Sequence, residues 1–510
     1  MYKLNFILRH CEARSNLFAL IKSLCFIAVF LISVSCFTQV DTIAHLYTFG
    51  GHNNDNAEEI EATSDGGYIV VGSTSSNSSG NTDVYLLKVD SLCNYQWSYA
   101  LGGSNNDWGY SVKETFDKGF IIAATSNSYG NGGYDAVLMK RDSLGGFVWK
   151  KTYGGQDWDF AYSVVQTYDS GYVFCGETYN NTNGYSDVYI VKTNPLGDTL
   201  WTKTIGGTLI DKGNCIIETS DSNIVVAGVR NTVTDSTQAY IIKLSPNGTL
   251  LWDSLYGGAK YDASNVVIET ANGDYVLNGT TSGFNLATDL DFYLARINQN
   301  GLLIWDNFFG NSGDEEAFDL YEDANGNLIN VGYTESAGAG MKDAQLFYIT
   351  SGGGWGSISP TYGGAISESF KSFTIGLNGD FCMAGSTNTY GNGSVDVFLV
   401  RVDTIYAFQT IVLTNYNDLI PITINEYVNE SNILLYPNPA SRYLNIDIEC
   451  FNTDLDYYLE IYSIEGQIIK SIALSLKHNI VDLECLKNQF YLYKIIKSGA
   501  VMETGKFTKH

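Results

Sequence analysis

The chain has 510 residues, a formal net charge of −26 and only 16% charged residues, with 52 Gly, 36 Tyr and 6 Pro. So acidic a balance excludes nucleic acid and an anionic membrane surface as partners, because both are held by basic patches. Many short strands joined by Gly- and Asn-rich turns give this composition, and a protein of long helices does not.

In chain order, Lys3, Arg9, Arg14 and Lys22 precede the apolar run Ser23–Phe37, with the small residues Ser33, Ser35 and Thr38 near its end. A basic start, a short apolar core and small residues read as a secretory signal peptide over residues 1–38. The run is short for a membrane span, so no transmembrane span is expected in the mature protein. Cys36 raises lipidation. Against it, Ser33 stands three residues earlier, where a lipidation signal carries Leu, Val or Ile. Nine cysteines without a C-x-x-C pair exclude a metal ribbon or a thioredoxin-like motif. Cys450 and Cys485 fall close together near the C-terminus, where a disulfide and two free thiols are both open.

The next seven-tenths or so of the sequence repeats itself. Glycine doublets, with Gly310-Asn311 as one variant, begin at 50, 102, 154, 206, 257, 310 and 363, giving spacings of 52, 52, 52, 51, 53 and 53. A period of this length marks a propeller or a solenoid. Each unit reads as four strands. The first follows the doublet. A turn such as Ser64–Gly67 then supplies the positive φ of a tight hairpin. The second strand is typified by Tyr68–Thr74 and the third by Asp83–Asp90. A fourth is opened by Trp97, Trp149, Trp201, Trp252 or Trp305. The strands are apolar on both faces, as sheets packed between neighbouring sheets must be. The seventh unit ends at Val395–Asp403 without a fourth strand, while an orphan strand, Thr42–Phe49, precedes the first doublet. A solenoid does not need matching ends; a closed ring does. The expected fold is all-β: a seven-bladed propeller over residues 41–405, with the N-terminal strand completing the last blade. The unit resembles a kelch repeat, but with the single Gly72 where kelch has a doublet. It also resembles propeller-like repeats of exported Bacteroidetes proteins. Neither resemblance specifies a ligand.

A linker with room for a strand is expected over 406–431. Beyond it, Tyr436-Pro437-Asn438-Pro439 blocks helix and alternating strands follow. Together with Leu435, Ala440, Leu444, Ile461, Tyr462, Gly466, Gln467, Leu486, Tyr491, Lys506 and Phe507, this segment resembles the type A C-terminal sorting domain of the type IX secretion system over residues 432–510. Gln489 stands where that family has Gly. The resemblance implies an immunoglobulin-like β-sandwich, a passage through the periplasm with the type IX machinery as partner, and an address at the cell surface or outside the cell. Tyr436, Pro437, Asn438, Pro439, Gly466 and Lys506 carry it.

Histidines stand only at 10, 45, 52, 478 and 510. Apart from the two at the propeller's N-terminal edge, this excludes histidine-assisted nucleophilic catalysis in the ring. Five residues after each doublet begins stands an acid: Asp55, Asp107, Asp159, Asp211, Asp262, Glu315 and Glu368. One reading is a ring of oxygen ligands for a cation such as Ca²⁺. The other is a clamp on loop amides, which repetition in every unit favours. The Asp83-to-Lys88 spacing recurs and reads as structural. Aromatics that depart from the repeat are expected on the face with the longer loops: Trp108, Trp158, Tyr129, Tyr179, Tyr185 and Tyr390. They read as loop packing or as a surface for sugar rings or a protein partner. The expected function is a non-catalytic, exported binding or adhesion protein without a catalytic residue. A glycan-active hydrolase or lyase using paired carboxylates is the alternative, and a structural role in a surface layer a third.

Overall fold

The computed structural model describes residues 42–509 except 77, 181, 183, 234–236, 259, 283–288, 357–359, 404–408, 417–421, 426–432, 437–441, 449–455, 464–467 and 498–499. The expected signal peptide, Cys36, Cys450, Pro437, Asn438, Pro439 and Gly466 therefore lie outside the described residues. Every regular element among the described residues is a strand. The chain divides into two compact units, residues 1–424 and 425–510.

The first unit is a propeller of antiparallel sheets in which consecutive strands pair in order. Blade 1 contains Asp55–Ala62, Tyr68–Thr74, Asp83–Val89 and Tyr95–Gly102. The same order recurs from Asp107, Asp159, Asp211, Asp262, Glu315 and Glu368. Second and third strands such as Tyr68–Thr74 and Asp83–Val89 are buried at every position, so both faces are apolar. Fourth strands such as Thr199–Ile205 lie at the outer rim and are half-exposed. They begin two residues before the tryptophans, which are their third residues rather than their first.

Apolar clusters join each blade to the next. Val71, Leu86 and Leu101 of blade 1 pack with Val112, Ile122 and Met139 of blade 2. The same kind of cluster joins Phe49, Val397 and Leu399 to Ile60, Tyr68 and Leu87, sealing the last blade to the first. Each such buried aliphatic or aromatic side chain contributes about 1.5–3 kcal/mol. Thr42–Phe49 pairs antiparallel with the third strand of blade 7, Asp396–Val402, from Ala44 opposite Val402 to Phe49 opposite Val397. The backbone closes the circle as well. The Asp107 amide donates to Thr82 O at 2.8 Å between blades 1 and 2, and the Asp55 amide donates to Val395 O at 2.9 Å between blades 7 and 1.

Two strands lie inside the stretch expected to be a linker. Gln409–Tyr416 runs parallel to Thr42–Phe49 and covers its free edge. Ile422–Asn425 joins the outer edge of blade 1.

The lysine that follows the third-strand acid in blades 1 to 3 is explained by the fold. Lys88, Lys140 and Lys192 are buried and reach back to Asp65, Asp117 and Asp169 in their own blade's hairpin turn at 2.7–3.0 Å. Those turns need a left-handed residue, which is Gly66 in blade 1 but Lys118, Ser170 and Ser222 in blades 2 to 4.

In the second unit, Ile433–Tyr436, Tyr443–Ile448 and His478–Asp482 form one sheet. Tyr457–Tyr462, Ile468–Leu474, Phe490–Lys497 and Ala500–Thr508 form the other. Leu444, Ile446, Leu459, Ile461, Leu486, Tyr491 and Phe507 share its core.

Candidate functional site

First strands of neighbouring blades pack against one another around the whole circle and so surround its axis. Every one of them carries a bulge. The register slips between Ala57 and Glu59, Gly109 and Ser111, Ala161 and Ser163, Gly213 and Cys215, Ser264 and Val266, Ala317 and Asp319, and Phe370 and Ser372. A bulge inserts one unpaired residue and re-aims its side chain. The seven inserted residues are Glu58, Tyr110, Tyr162, Asn214, Asn265, Phe318 and Lys371. The scaffold repeats here while the chemistry does not.

Asn214 and Asn265 spend their amides on the next blade, donating to Ser264 O and Ala317 O at 2.9 and 2.8 Å. The aromatic and charged members are differently placed. The Tyr110 and Tyr162 rings meet edge to face at 5.1 Å, and Tyr162 stacks on Phe160 at 5.8 Å. Phe160 stacks on Tyr134 at 5.9 Å, and Tyr134 lies between Trp108 at 5.2 Å and Trp158 at 5.7 Å. Tyr179 closes on Trp158 at 5.8 Å. The result is a continuous arc of seven rings over blades 2 and 3. Beside it, Glu58, Ser73, Trp108, Gly109 and Tyr110 line a recess of about 270 Å³. That is just below the range of about 300–1,000 Å³ for pockets that bury drug-sized ligands, and suits a single ring.

Two carboxylates flank the arc. Burial raises the Glu58 carboxyl above its usual range, with Lys371 partly opposing the rise. Burial also raises Glu177, opposed by Lys212 and by hydrogen bonds. Glu177 accepts Tyr162 Oη at 3.0 Å and Ser186 Oγ at 3.3 Å. Both acids act electrostatically on Tyr110, whose hydroxyl burial already pushes well up. Glu177 stands where other blades have residues such as Ser73, Thr125 and Ser386, so it too departs from the repeat.

Of the aromatics expected from the sequence, Trp108, Trp158 and Tyr179 belong to the arc, and Trp158 is 49% exposed. Tyr185 is exposed on a loop of blade 3. Tyr129 faces Lys150, whose Nζ lies 3.1 Å from the ring centre. Tyr390 is on blade 7, where it stacks on Phe398 and donates to Gly363 O at 3.0 Å. Sequence reasoning missed Tyr110, Tyr134, Phe160, Tyr162, Glu58 and Glu177. Comparing units position by position along the first and second strands would have found most of them.

The seven repeating acids have a task in every blade. Each is buried and accepts the amide of the residue four before it, at 2.5–2.8 Å from Gly51, Gly103, Gly155, Gly207, Gly258, Asn311 and Gly364. Asp55 also takes the hydroxyls of Thr74 and Ser76. The acids thus clamp each doublet onto its own blade. Among the described residues, no group of three or more His, Cys, Asp or Glu is arranged to hold a metal ion.

In the second unit, Tyr436 ends a strand paired with Asn445, and Lys506 lies in the last strand. No described helix is long and apolar enough to cross a membrane.

No curated protein matches the chain. Residues 219–250, in blade 4, match a beta-propeller domain of unknown function, DUF5122. Among solved structures, a protein of unknown function from Bacteroides caccae is 14% identical, covering 58% of this chain and 93% of its own, with a TM-score of 0.37. The Pan2 WD40 domain of Neurospora crassa is 13% identical over 73% of this chain and 99% of its own, with a TM-score of 0.46. PorZ, a surface component of the type IX secretion system of Porphyromonas gingivalis, is 10% identical over 88% of this chain and 73% of its own, with a TM-score of 0.36. Residues 434–509 match the secretion system C-terminal sorting domain, so this propeller carries a type IX sorting tail and is addressed to secretion.

Proposed function

We propose that the secreted propeller is a non-catalytic binding protein whose ligand is a carbohydrate, seated on the arc from Trp108 to Tyr179 with one ring in the recess beside Glu58. The observation that carries this reading is the placement of the departures from the repeat. Several of them gather at the inserted residues of the first strands and in one aromatic arc, on a scaffold whose strand order is the same in every blade. Rigid aromatic faces give contact area at low entropic cost, and neighbouring carboxylates accept hydrogen bonds from sugar hydroxyls. Screening the full chain on a glycan array, followed by titration of the best oligosaccharide, tests it. Trp108→Ala with Trp158→Ala is expected to weaken binding at least tenfold; unchanged affinity in a folded double variant removes the site.

One observation favours a second reading. Glu58 and Glu177 are raised carboxyls, unmatched elsewhere in the repeat, on either side of Tyr110, as a glycan-cleaving enzyme needs. Incubation of the bound oligosaccharide separates the two. The binding reading expects it to be recovered intact; the enzymatic reading expects cleavage that Glu58→Gln abolishes.

A further inference from the structure

Two departures from the repeat meet at the seam where the ring closes. The turn between third and fourth strands holds a left-handed glycine in five blades: Gly145, Gly197, Gly248, Gly301 and Gly353, at φ of 77–82°. In blade 1 the same place is Cys93, at φ 58°. A residue with a β-carbon is disfavoured in that conformation, so its presence calls for a reason. The second position of the second strand is Ile69, Ile121, Val173, Val225, Val276 and Ile329 in blades 1 to 6, and Cys382 in blade 7. The two cysteines are 289 residues apart, wholly buried, and their sulfurs lie 3.5 Å from each other, unbonded.

The seam also has the room. At the other junctions a β-carbon on the turn glycine would press on the preceding blade's tryptophan, at 2.9 Å from Trp97 for Gly145 and from Trp149 for Gly197. Each of those tryptophans pairs with the lysine or arginine of the third strand, as Trp97 does with Lys88. In blade 7 the matching cation is Arg401, and its partner is His45. The indole is therefore missing at the one junction where the turn residue carries a side chain.

We propose that Cys93 and Cys382 form a disulfide that ties the first blade to the last in the secreted protein. The two S–H bonds and the disulfide of a periplasmic thiol oxidant are exchanged. One S–S bond forms between Cys93 and Cys382, the oxidant's S–S bond breaks, and two electrons and two protons pass to its thiols. The periplasm, through which the sorting tail routes the chain, favours such bonds. Burial and the neighbouring thiol hold the Cys382 thiol well above its ordinary value, so the closed ring exchanges slowly and the bond forms as blade 7 docks. The proposal rests on the export route and not on the carbohydrate reading. Cys175 and Cys215 serve as internal controls, since their thiols face the carbonyls of Gly213 and Val267.

The test is to export the full chain to an oxidising periplasm, alkylate it in denaturant without reductant, and map its peptides by mass spectrometry. The expected result is a Cys93–Cys382 linked pair, with Cys175 and Cys215 alkylated. Alkylation of both Cys93 and Cys382, or linkage of either to another cysteine, overturns the proposal. Reduction is expected to lower the melting temperature of the parent by about 5 °C and leave Cys93→Gly unmoved. Under reductant, Cys93→Gly is expected to melt no lower than the parent, because glycine relieves the turn. Equal melting of the oxidised and reduced parent overturns the tie.

Discussion

At five of the seven doublets the first-strand acid faces a second carboxylate across the first residue of the doublet. A β-carbon on Gly102 would lie 2.3 Å from Asp83 Oδ1 and 2.7 Å from Asp107 Oδ2, and one on Gly50 would meet Asp396 and Asp55 in the same way. Two buried carboxylates so placed cannot both stay charged cheaply. Burial first, and then the facing acid, push Asp83 and Asp396 up to about 6. Asp83 Oδ1 and Asp396 Oδ1 are buried without a hydrogen-bond partner among the described residues. Blade 4 contains the contrasting case. There Gln238 stands at the third-strand place, and its amide donates to Asp262 at 3.4 Å. Because the folded values of Asp83 and Asp396 are raised, their contribution is fully present below the unfolded carboxylate range and is lost as pH rises through about 6. The turn acids act in the opposite sense. Burial pushes Asp221 up, but hydrogen bonds from Thr219, Asn223 and Lys243 outweigh it and lower the carboxyl to about 2, so its contribution is lost as pH falls through that value. Stability is therefore expected to peak near the unfolded carboxylate range, at about pH 4, and to decline as pH rises from there to about 6. Asp83→Asn, which supplies a donor as Gln238 does, is expected to add roughly 1–3 kcal/mol at pH 8 and little at pH 4. Denaturant melts at the two pH values check this, and an equal gain at both would refute the shared-charge account.

Among the elements, the hairpins and the closing strand were legible because their signals are local: Asp-Gly and Asn-Gly turns, runs apolar on both faces, and an orphan strand that answers a missing one. The edge-covering strand Gln409–Tyr416 was not, since parallel pairing with Thr42–Phe49 joins stretches more than 360 residues apart in sequence and leaves no periodic mark. The arc was half legible. Trp108 and Trp158 stand out in loop-like surroundings, whereas Tyr110 and Tyr162 sit inside strands where an aromatic residue looks like ordinary packing. Comparison with the same position in the other units marks them as departures, but the bulge that re-aims them is a matter of register against a partner strand. The edge strand earns its place through Tyr416, which stacks on Phe49 at 5.1 Å and Tyr47 at 6.4 Å and donates to Asn94 at 3.1 Å. Tyr416→Ala is expected to cost about 1–2 kcal/mol and to raise aggregation, because it loosens the cover on an exposed edge. Thermal unfolding followed by light scattering measures both, and parent-like behaviour in each would mean that the cover is incidental.

Over the whole ring, the joints between blades are not equal. The last residue of a first strand caps the hairpin turn of the blade before it. Glu114 accepts the Ser64 amide at 3.0 Å, Gln166 that of Phe116, Glu218 that of Tyr168, Glu269 that of Ser220 and Glu322 that of Ala271, the last four each at 2.7 Å. These five latches join blades 1 through 6. The matching residue of blade 7 is Ile375 and that of blade 1 is Ala62, and neither side chain has an oxygen. Blade 7 therefore lacks the latch on both sides, although it closes the circle. It is also the only blade built from both ends of the ring's sequence, so its loss opens the ring without breaking any other sheet. With Cys93 and Cys382 reduced, unfolding is expected to start there. In hydrogen exchange, amides of Phe381–Thr387 and Asp396–Val402 should lose protection before those of Tyr172–Thr178 and Ile224–Asn231. Ala62→Gln places at the seam the amide that Gln166 uses in blade 3, within reach of the turn at Leu377. It is expected to add about 1 kcal/mol and to slow exchange in blade 7 more than in blades 3 and 4. Earlier opening of blades 3 and 4, or a uniform gain around the ring, would show that the latches do not set where the propeller comes apart.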